Sequence, residues 1–405
     1  MKKVISLLML SLFITTYLYS YDITIDDAIN IASTQNKDIL LKEIETKNKN
    51  IDLSNAKKDR IPNVNFSASY DAKTDHSSNG FSISKKIFDG FKVRNNIEKA
   101  KIKNSINDLE MIILNNQVKY NIVKMYMESL KYENQINIYL QSLERLNKQY
   151  EQDLILYNKK MLSRTDILKL QINISDMEKE IVNSQNGYKT SLNKLKNLLG
   201  LPLNIDINLK EKIIDFAIDI NIENDLNKIN NKSEILIEDY KLKNSVLEKK
   251  IVRADFFPEL NLSLSYRSSN EKFRDMFSDY KDSIGLSLSY TLLDWGKRKN
   301  NYNKMKNDIE YKKIEIEQKK SNTEIELIEK YDELLKNDKL VKICQNRVEL
   351  AQLSFDIESI KYEKRIANIT DFLDVENELM QSEINLINQI TEKYIKLYDY
   401  VIFIN

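Results

Sequence analysis

Four segments of the chain alternate between apolar and small polar residues with a period of two. Their apolar positions are Val64, Phe66, Ala68, Tyr70, Phe81, Ile83, Leu260, Leu262, Leu264, Tyr266, Leu286, Leu288 and Tyr290. One apolar face and one Ser/Asn face predict half-buried strands. Residues 62–73 and 78–89 each have about the 9–11 residues that a tilted membrane strand needs. A soluble antiparallel sheet is the alternative, but a small polar face suits the lumen wall of a membrane barrel better.

The rest of the chain follows a helical pattern. Between Lys92 and Leu199 there is one glycine, Gly187, and no proline, and apolar residues recur at threes, fours and sevens. A strict seven-residue period of apolar residues connects Leu327, Leu334, Val341, Val348, Phe355 and Tyr362. This period predicts a coiled-coil seam. A helix of about 65 residues would be roughly 100 Å long at 1.5 Å per residue, which suits a strut or a tube.

The sequence contains an internal repeat. Residues 79–89, NGFSISKKIFD, recur as residues 284–294, IGLSLSYTLLD, at an offset of 205 positions. Residues 157–166 match residues 362–371 at the same offset. A constant spacing is what rigid helices require. Upstream of residue 79 the offset falls to 196, so the second copy carries nine extra residues, which predicts an exposed loop between its strands.

The composition excludes several classes of protein. The 405 residues include 6 glycines and 3 prolines, against about 28 and 20 at average usage, so a glycine-rich nucleotide-binding fold is excluded. Because 62 basic residues face 61 acidic ones, no overall field favours nucleic acid. One histidine and one cysteine, His76 and Cys344, cannot build a His/Cys metal site or a His-dependent triad. We therefore expect no metal, no cofactor and no enzymatic activity.

Residues 1–20 have the pattern of a secretory signal peptide. Lys2 and Lys3 precede the apolar run from Val4 to Leu18, and Ser20 is a small residue at which a signal peptidase could cut. The alternative is an N-terminal membrane anchor, although the run of about 15 residues is shorter than the roughly 20 that a span needs.

The repeat divides the mature chain into two similar parts. The first covers residues 21–200 and ends in Gly200-Leu201-Pro202, a glycine stop followed by proline. Residues 201–230 are a connector, and residues 231–405 form the second part. We expect a mainly α fold with long antiparallel coiled-coil helices and four strands per chain.

Four strands cannot close a pore, since even a filled barrel needs about eight. Open sheet edges in lipid would leave backbone groups unsatisfied. The chain must therefore share its barrel with copies of itself, and three chains would supply about twelve strands, enough for a channel. The residues that we expect to face lipid are Val64, Phe66, Leu262, Leu264, Leu286 and Leu288.

At this point the sequence resembles the TolC-like outer-membrane efflux protein family, the outer-membrane component of tripartite efflux and type I secretion systems. The motifs that carry the resemblance are Ile23-Thr-Ile-Asp-Asp-Ala-Ile29, Ile61-Pro62, Phe257-Pro258, Ile87-Phe-Asp-Gly90, Leu293-Asp-Trp-Gly296, Leu198-Leu-Gly-Leu-Pro202 and the Thr-Asp pairs at 165–166 and 370–371. Each motif is short, and their duplicated order over the mature chain makes the resemblance specific.

The resemblance implies a homotrimer in the outer membrane of a Gram-negative bacterium. It implies a twelve-stranded barrel and a long helical tunnel that extends into the periplasm. Such a trimer would be the passive exit duct of a tripartite efflux pump or a type I secretion system. A periplasmic adaptor and, through it, an inner-membrane transporter would be its partners.

The resemblance also places a gate and an adaptor contact at the two helical turns. Asp371 and Asp374 match the acidic pair of the family and lie at i, i+3, on one helix face. Tyr362 and Asp166 match the tyrosine and aspartate that close the tunnel, and Arg365 is expected to replace the arginine whose position holds Ala367. The turn glycine of the family is replaced by Lys160 and Arg365. The adaptor contact would comprise Lys160, Met161, Arg365 and Ile366.

Other interpretations remain open at the level of the sequence. Asp371 and Asp374 could belong to a solvated coil face. The aromatic residues Phe88, Phe91 and Trp295, where strands become helices, could mark the membrane–water boundary or simply pack at a corner. For the whole chain, the alternative to a channel is a periplasmic coiled-coil adaptor or scaffold without a pore.

Overall fold

The computed structural model of the protein describes residues 21–218, 220–270 and 277–404, so the predicted signal segment, residues 1–20, lies outside the described residues. The helices are α1 (Ile25–Gln35), α2 (Lys37–Lys58), α3 (Lys92–Asn158), α4 (Arg164–Leu198), α5 (Ile222–Leu226), α6 (Ser233–Ala254), α7 (Lys297–Glu363) and α8 (Ile369–Ile404). The strands are β1 (Tyr21–Ile23), β2 (Asn63–Asp71), β3 (His76–Phe88), β4 (Ile207–Leu209), β5 (Glu259–Asn270) and β6 (Lys281–Ser289). A 3-10 turn covers Ile229–Asn231.

The predicted mainly helical fold is confirmed. Helices α3 and α7 each have 67 residues, close to the predicted length. Over the described residues, every helix is too short or too polar to cross a lipid bilayer.

The chain divides into two compact units. The first unit comprises the described residues up to Leu40, residues 114–227 and the residues from Glu324 onwards. The second unit comprises residues 41–113 and 228–323.

The second unit contains an antiparallel sheet with the order β2-β3-β5-β6. Its register places Val64 opposite Ile83, Leu262 opposite Leu286 and Leu260 opposite Leu288. The apolar positions of all four strands therefore share one face, and Asn and Ser residues share the other, as the period-two pattern predicts. Tyr290 lies one residue beyond the end of β6.

The first unit has two apolar clusters along its helices. One surrounds Tyr126, which is fully buried among residues of α1, α3, α4 and β4. The other lies near the helix turns and contains Leu146, Leu170, Tyr362 and Phe372. Along the seven-residue period of α7, Leu327, Leu334, Val341 and Tyr362 are buried, while Val348 and Phe355 are half-buried. The period is thus a packing seam.

The connector is fixed to the helices of the first unit. Strand β4 pairs with β1 in parallel, a contact that three-residue strands do not reveal in a sequence. The ammonium group of Lys393 is 2.6 Å from Asp215 and 2.7 Å from Asp338, and its side chain is 1% exposed. Burial lowers the pKa of Lys393, but its hydrogen bonds to the two carboxylates outweigh burial and hold the pKa above its usual value.

Candidate functional site

The turn between α3 and α4 keeps the geometry of a glycine turn without glycine. The backbone amide of Met161 donates to the carbonyl of Leu156 at 2.9 Å, and the backbone amide of Lys160 donates to the carbonyl of Tyr157 at 2.8 Å. This pair of bonds is a Schellman motif, in which the residue after the helix adopts the left-handed conformation. Lys160 does so, with φ of 60°.

The turn between α7 and α8 repeats this arrangement. The backbone amide of Ile366 donates to the carbonyl of Lys361 at 2.8 Å, and the backbone amide of Arg365 donates to the carbonyl of Tyr362 at 2.9 Å. Arg365 has φ of 62°. The α4 end is built the same way around Gly200, with φ of 73°. Lysine and arginine therefore occupy positions where glycine carries no steric penalty.

Both turns end in a helix cap that uses the aspartate of a Thr-Asp pair. Asp166 and Ser163 form a capping box at the start of α4. At the start of α8, the backbone amide of Asp371 donates to Asn368 Oδ1 at 3.0 Å. The Asp371 carboxylate accepts from the backbone amide of Asn368 at 3.4 Å. Each aspartate thus satisfies backbone groups that a helix start leaves without partners.

The two turns enclose a pocket of about 690 Å³ in the first unit. Four of the predicted residues line it: Met161, Asp166, Tyr362 and Arg365. Asp153, which the sequence did not single out, also lines the pocket. The pocket joins side chains from the ends of both helix pairs, α3/α4 and α7/α8.

The hydrogen bond of Tyr362 is made with Asp153. The tyrosine hydroxyl donates to Asp153 Oδ2 at 2.7 Å, and Gln149 donates to the other carboxylate oxygen at 3.0 Å. Within the single chain Tyr362 does not bond to Asp166, which caps α4. The role of Asp166 in closing the tunnel stays a prediction. Asp153 is 1% exposed and lies seven residues after the buried Leu146. A charged residue in an apolar heptad position was the signal that could have identified it.

Burial governs the protonation of this pair. Desolvation raises the pKa of the Asp153 carboxyl, and the hydrogen bonds from Tyr362 and Gln149 oppose the rise. Burial, together with the hydrogen bond to Asp153, raises the pKa of the Tyr362 phenol far above its usual value. The phenol therefore stays protonated and remains the donor across the physiological range.

The profile of one protein family matches most of the chain. The matching family is described as "Outer membrane efflux protein", and the match covers residues 28–201 and 247–400. The chain belongs to the outer membrane efflux protein family. The resemblance inferred from the motifs is therefore confirmed, and this efflux protein is placed in the outer membrane with a role in transport. A comparison with curated protein sequences finds no match.

Solved structures show the same fold. The outer-membrane channel OprN is 16% identical, with a TM-score of 0.81 over 94% of this chain and 89% of that chain. The Campylobacter jejuni CmeC outer membrane channel is 14% identical, with a TM-score of 0.83 over 94% and 85%. The outer membrane protein VceC from Vibrio cholerae is 14% identical, with a TM-score of 0.78 over 94% and 95%.

The remaining candidate residues of the efflux protein lie on its surface. Asp371 and Asp374 are exposed and do not line the pocket. Lys160 and Ile366 are exposed around the turns, as is Met161 of the pocket lining.

The six residues predicted to face lipid share the apolar face of the sheet. Val64, Phe66, Leu286 and Leu288 are exposed, while Leu262 and Leu264 are half-buried.

The aromatic residues after the strands divide between the two interpretations. Trp295 is 89% exposed, as a residue at a membrane boundary would be. Phe88 packs edge-to-face on Phe91 and Phe257, with ring centroids 5.6 and 6.4 Å apart. Packing therefore accounts for Phe88, while Trp295 makes no comparable ring contact among the described residues.

Proposed function

We propose that three copies of this efflux protein assemble into an outer-membrane channel. The observation that carries the proposal is the sheet of the second unit, which has one exposed apolar face and one face of Asn and Ser. Among the described residues, its outer strands β2 and β6 each pair on one side only. An unpaired edge in lipid leaves N–H and C=O groups without partners. Pairing β2 of one copy with β6 of the next removes these edges.

Three such sheets would form a barrel of twelve strands. In that barrel Val64, Phe66, Leu262, Leu264, Leu286 and Leu288 face outer-membrane lipid. Ser263, Ser265, Ser283 and Ser287 lie on the other face of the sheet and would line the lumen. A small polar wall is what a water-filled channel requires.

We also propose that the mature chain comprises two tandem repeats, residues 21–200 and 231–405, joined by the connector 201–230. Equal lengths support this division, since α3 and α7 have 67 residues each and α4 and α8 have 35 and 36. The two Schellman turns have the same hydrogen bonds at equivalent positions.

The channel would be a passive exit duct of a tripartite efflux pump or a type I secretion system. The helix turns would form its periplasmic end, where Lys160, Met161, Arg365 and Ile366 meet a periplasmic adaptor. Through the adaptor an inner-membrane transporter supplies energy and cargo. The exposed apolar sheet face favours a membrane channel over a soluble periplasmic scaffold, because a soluble protein seldom exposes such a face.

The closed state would be stabilised by the contact of Tyr362 with Asp153, near Asp166 and Arg365. Asp371 and Asp374 from three copies would bring six carboxylates to the mouth. Like charges in a narrow opening attract cations.

Conductance in planar bilayers tests the channel and its register together. In a Cys344→Ser background, Ser287→Cys should place a thiol in the lumen, and Leu286→Cys should place one in lipid. A charged, water-soluble thiol reagent should reduce the conductance of the Ser287 variant and leave that of the Leu286 variant unchanged. The reverse pattern would show that the faces are assigned wrongly. A purified protein that produces no conductance steps would contradict the channel itself.

A further inference from the structure

A basic pocket lies in the second unit where β3 ends and α3 begins. It has a volume of about 480 Å³ and is lined in part by Arg94, Lys250 and Arg253. Arg94 is in the first turn of α3, six residues after the last residue of β3. Lys250 and Arg253 are one turn apart near the end of α6.

None of the three cations forms a salt bridge among the described residues, although Glu98, one turn after Arg94, interacts with Arg94 electrostatically. The carboxylate in the pocket, Glu98, is 2.8 Å from Lys101. Asp255 and Glu259, which lie close by in sequence, are engaged by Lys92 at 2.8 and 2.9 Å. Three cations and the one carboxylate of Glu98 leave the pocket with a net positive charge.

The backbone holds the two helix ends together. Gly90 has φ of 66°, and a Cβ added there would lie 2.8 Å from the Cβ of Ala254, the last residue of α6. A side chain at Gly90 would therefore force these segments apart. The close approach brings Arg94 on α3 to the same pocket as the two cations of α6.

Basic residues also occupy the first turn of α3. The first turn of α3 contains Lys92 and Arg94 and no acidic residue, although a helix N-terminus favours negative charge. The negative charge at this end is that of Asp89, whose Oδ2 accepts from the backbone amide of Val93 at 2.8 Å. Because Lys92 is paired with Asp255 and Glu259, Arg94 is the cation of this turn without a salt bridge among the described residues. At the equivalent junction of α7, Asp294 likewise accepts from the backbone amide of Arg298, at 2.9 Å. Asp294 also contacts the Arg298 guanidinium at 2.8 Å, whereas Val93 takes that position in α3.

The rim of the pocket is apolar. Phe91 and Phe257 line it and are 56% and 41% exposed, and Ile87 of β3, just before them, is 51% exposed. A free anion would gain nothing from such a rim, whereas a lipid combines a phosphate with acyl chains. On the proposed function, on which this inference rests, the end of β3 lies where the barrel leaves the membrane.

We propose that Arg94, Lys250 and Arg253 bind the headgroup of an anionic glycerophospholipid of the periplasmic leaflet. The phosphate is held by the three cations, and the acyl chains continue over Phe91, Phe257 and Ile87. One such site per chain would fix the depth of the barrel in the membrane.

Native mass spectrometry of the delipidated full chain in detergent, titrated with phosphatidylglycerol, tests the site. We expect one tightly bound lipid per chain. Combining Arg94→Gln, Lys250→Gln and Arg253→Gln should weaken binding about 100-fold, at about 1 kcal/mol per cation near an anionic lipid. Lys250→Gln alone, at an exposed position, should weaken it about 5-fold on the same scale. If the triple variant does not fold, the single variant Lys250→Gln still measures whether this pocket binds the lipid.

The matched control neutralises three exposed lysines of α7 in the same unit: Lys304→Gln, Lys306→Gln and Lys313→Gln. This control should bind phosphatidylglycerol like the parent. Equal binding by the Arg94/Lys250/Arg253 variant, or equal binding of phosphatidylcholine by the parent, would overturn the proposal. Displacement of the lipid by low-millimolar inorganic phosphate would show a free-phosphate site instead. A parent protein that conducts but binds no lipid would contradict the lipid site alone and leave the proposed channel intact. A parent protein that shows no conductance would contradict the proposed channel itself.

Discussion

The hydroxyl of Tyr362 donates a hydrogen bond to Asp153 over 2.7 Å, and this bond joins α7 to α3. The two residues are 209 positions apart in the sequence. Asp153 is almost fully buried. Among the described residues, its desolvated carboxylate has two side-chain donors, Tyr362 and Gln149. A buried carboxylate that loses a donor costs about 1–3 kcal/mol. The contact therefore opposes separation of the two helix pairs at the turns.

Replacing Tyr362 with phenylalanine should loosen the closed state. The change leaves the ring in place and removes only the donor to Asp153, so we expect a larger single-channel conductance with unchanged ion selectivity. Three copies would triple the effect of one bond of about 1 kcal/mol. Recording in planar bilayers measures both quantities.

Tyr157→Phe is the matched control for this variant. Tyr157 is the counterpart of Tyr362 in the first repeat, is partly exposed, and makes no side-chain hydrogen bond among the described residues. Its conductance should equal that of the parent. A Tyr362→Phe channel that also conducts like the parent would show that the bond does not hold the channel closed.

Neutralising Asp371 and Asp374 should reduce cation selectivity. Asparagine is the suitable replacement, because alanine at Asp371 would also remove the cap of α8. We expect the double variant, Asp371→Asn with Asp374→Asn, to lose both the preference for cations and the block by trivalent cations. Reversal potentials in a salt gradient measure the selectivity.

Glu329→Gln with Glu349→Gln removes the same charge at exposed positions of α7 and should leave the selectivity unchanged. If the aspartate variant also keeps the selectivity and the block of the parent, Asp371 and Asp374 form a solvated coil face and have no role at the mouth.

Removing the ammonium group of Lys393 should release the connector. Lys393→Met leaves Asp215 and Asp338 without their shared buried partner. Because Asp338 keeps Lys342 at 2.7 Å and both carboxylates are partly exposed, we expect a loss of about 1–3 kcal/mol. We expect a lower denaturation midpoint and faster tryptic cleavage after Lys210 and Lys212. Lys396→Met, which removes a more exposed contact with Glu333, should cost about 1 kcal/mol or less. Equal effects of the two variants would refute the special role of Lys393.

Glu376 should make the folded state more stable at acid pH. It is 1% exposed, and burial raises the pKa of its carboxyl, although Arg145 at 3.0 Å and the hydroxyl of Ser142 oppose the rise. Because the folded state holds the proton more tightly than the unfolded state, this contribution to stability is complete below the unfolded pKa of about 4.3. It is lost as the pH rises through the folded pKa.

Denaturation of the detergent-purified protein between pH 4 and pH 8, followed by circular dichroism, measures this dependence. Glu376→Gln should flatten it, since the amide carries no titrating proton. Glu378→Gln, at an exposed position of the same helix, should not. An unchanged slope in the Glu376 variant would assign the pH dependence to other buried carboxyls.

Periodic sequence patterns predicted the long helices and the four sheet strands. They did not predict single contacts between residues, because one contact has no period. The strands around Val64 and Leu286 and the long α3 and α7 follow from periods of two and seven. Strand β4 could not be predicted, because three residues carry no period. Asp153 was missed because the sequence shows only that a charge occupies a heptad position, while its partner is fixed by how α3 and α7 pack. Lys160 adopts the left-handed conformation although it is not a glycine, because the two Schellman hydrogen bonds fix the backbone of the turn.

The mass of the detergent-extracted protein decides whether three copies share one barrel. Light scattering coupled to size-exclusion chromatography separates the protein mass from the mass of bound detergent. We expect three times the mass of one mature chain, because four strands per copy form a channel-sized barrel only when three copies combine. A protein that remains a monomer after gentle extraction, and is fully folded without detergent, would contradict the shared barrel and with it the proposed channel.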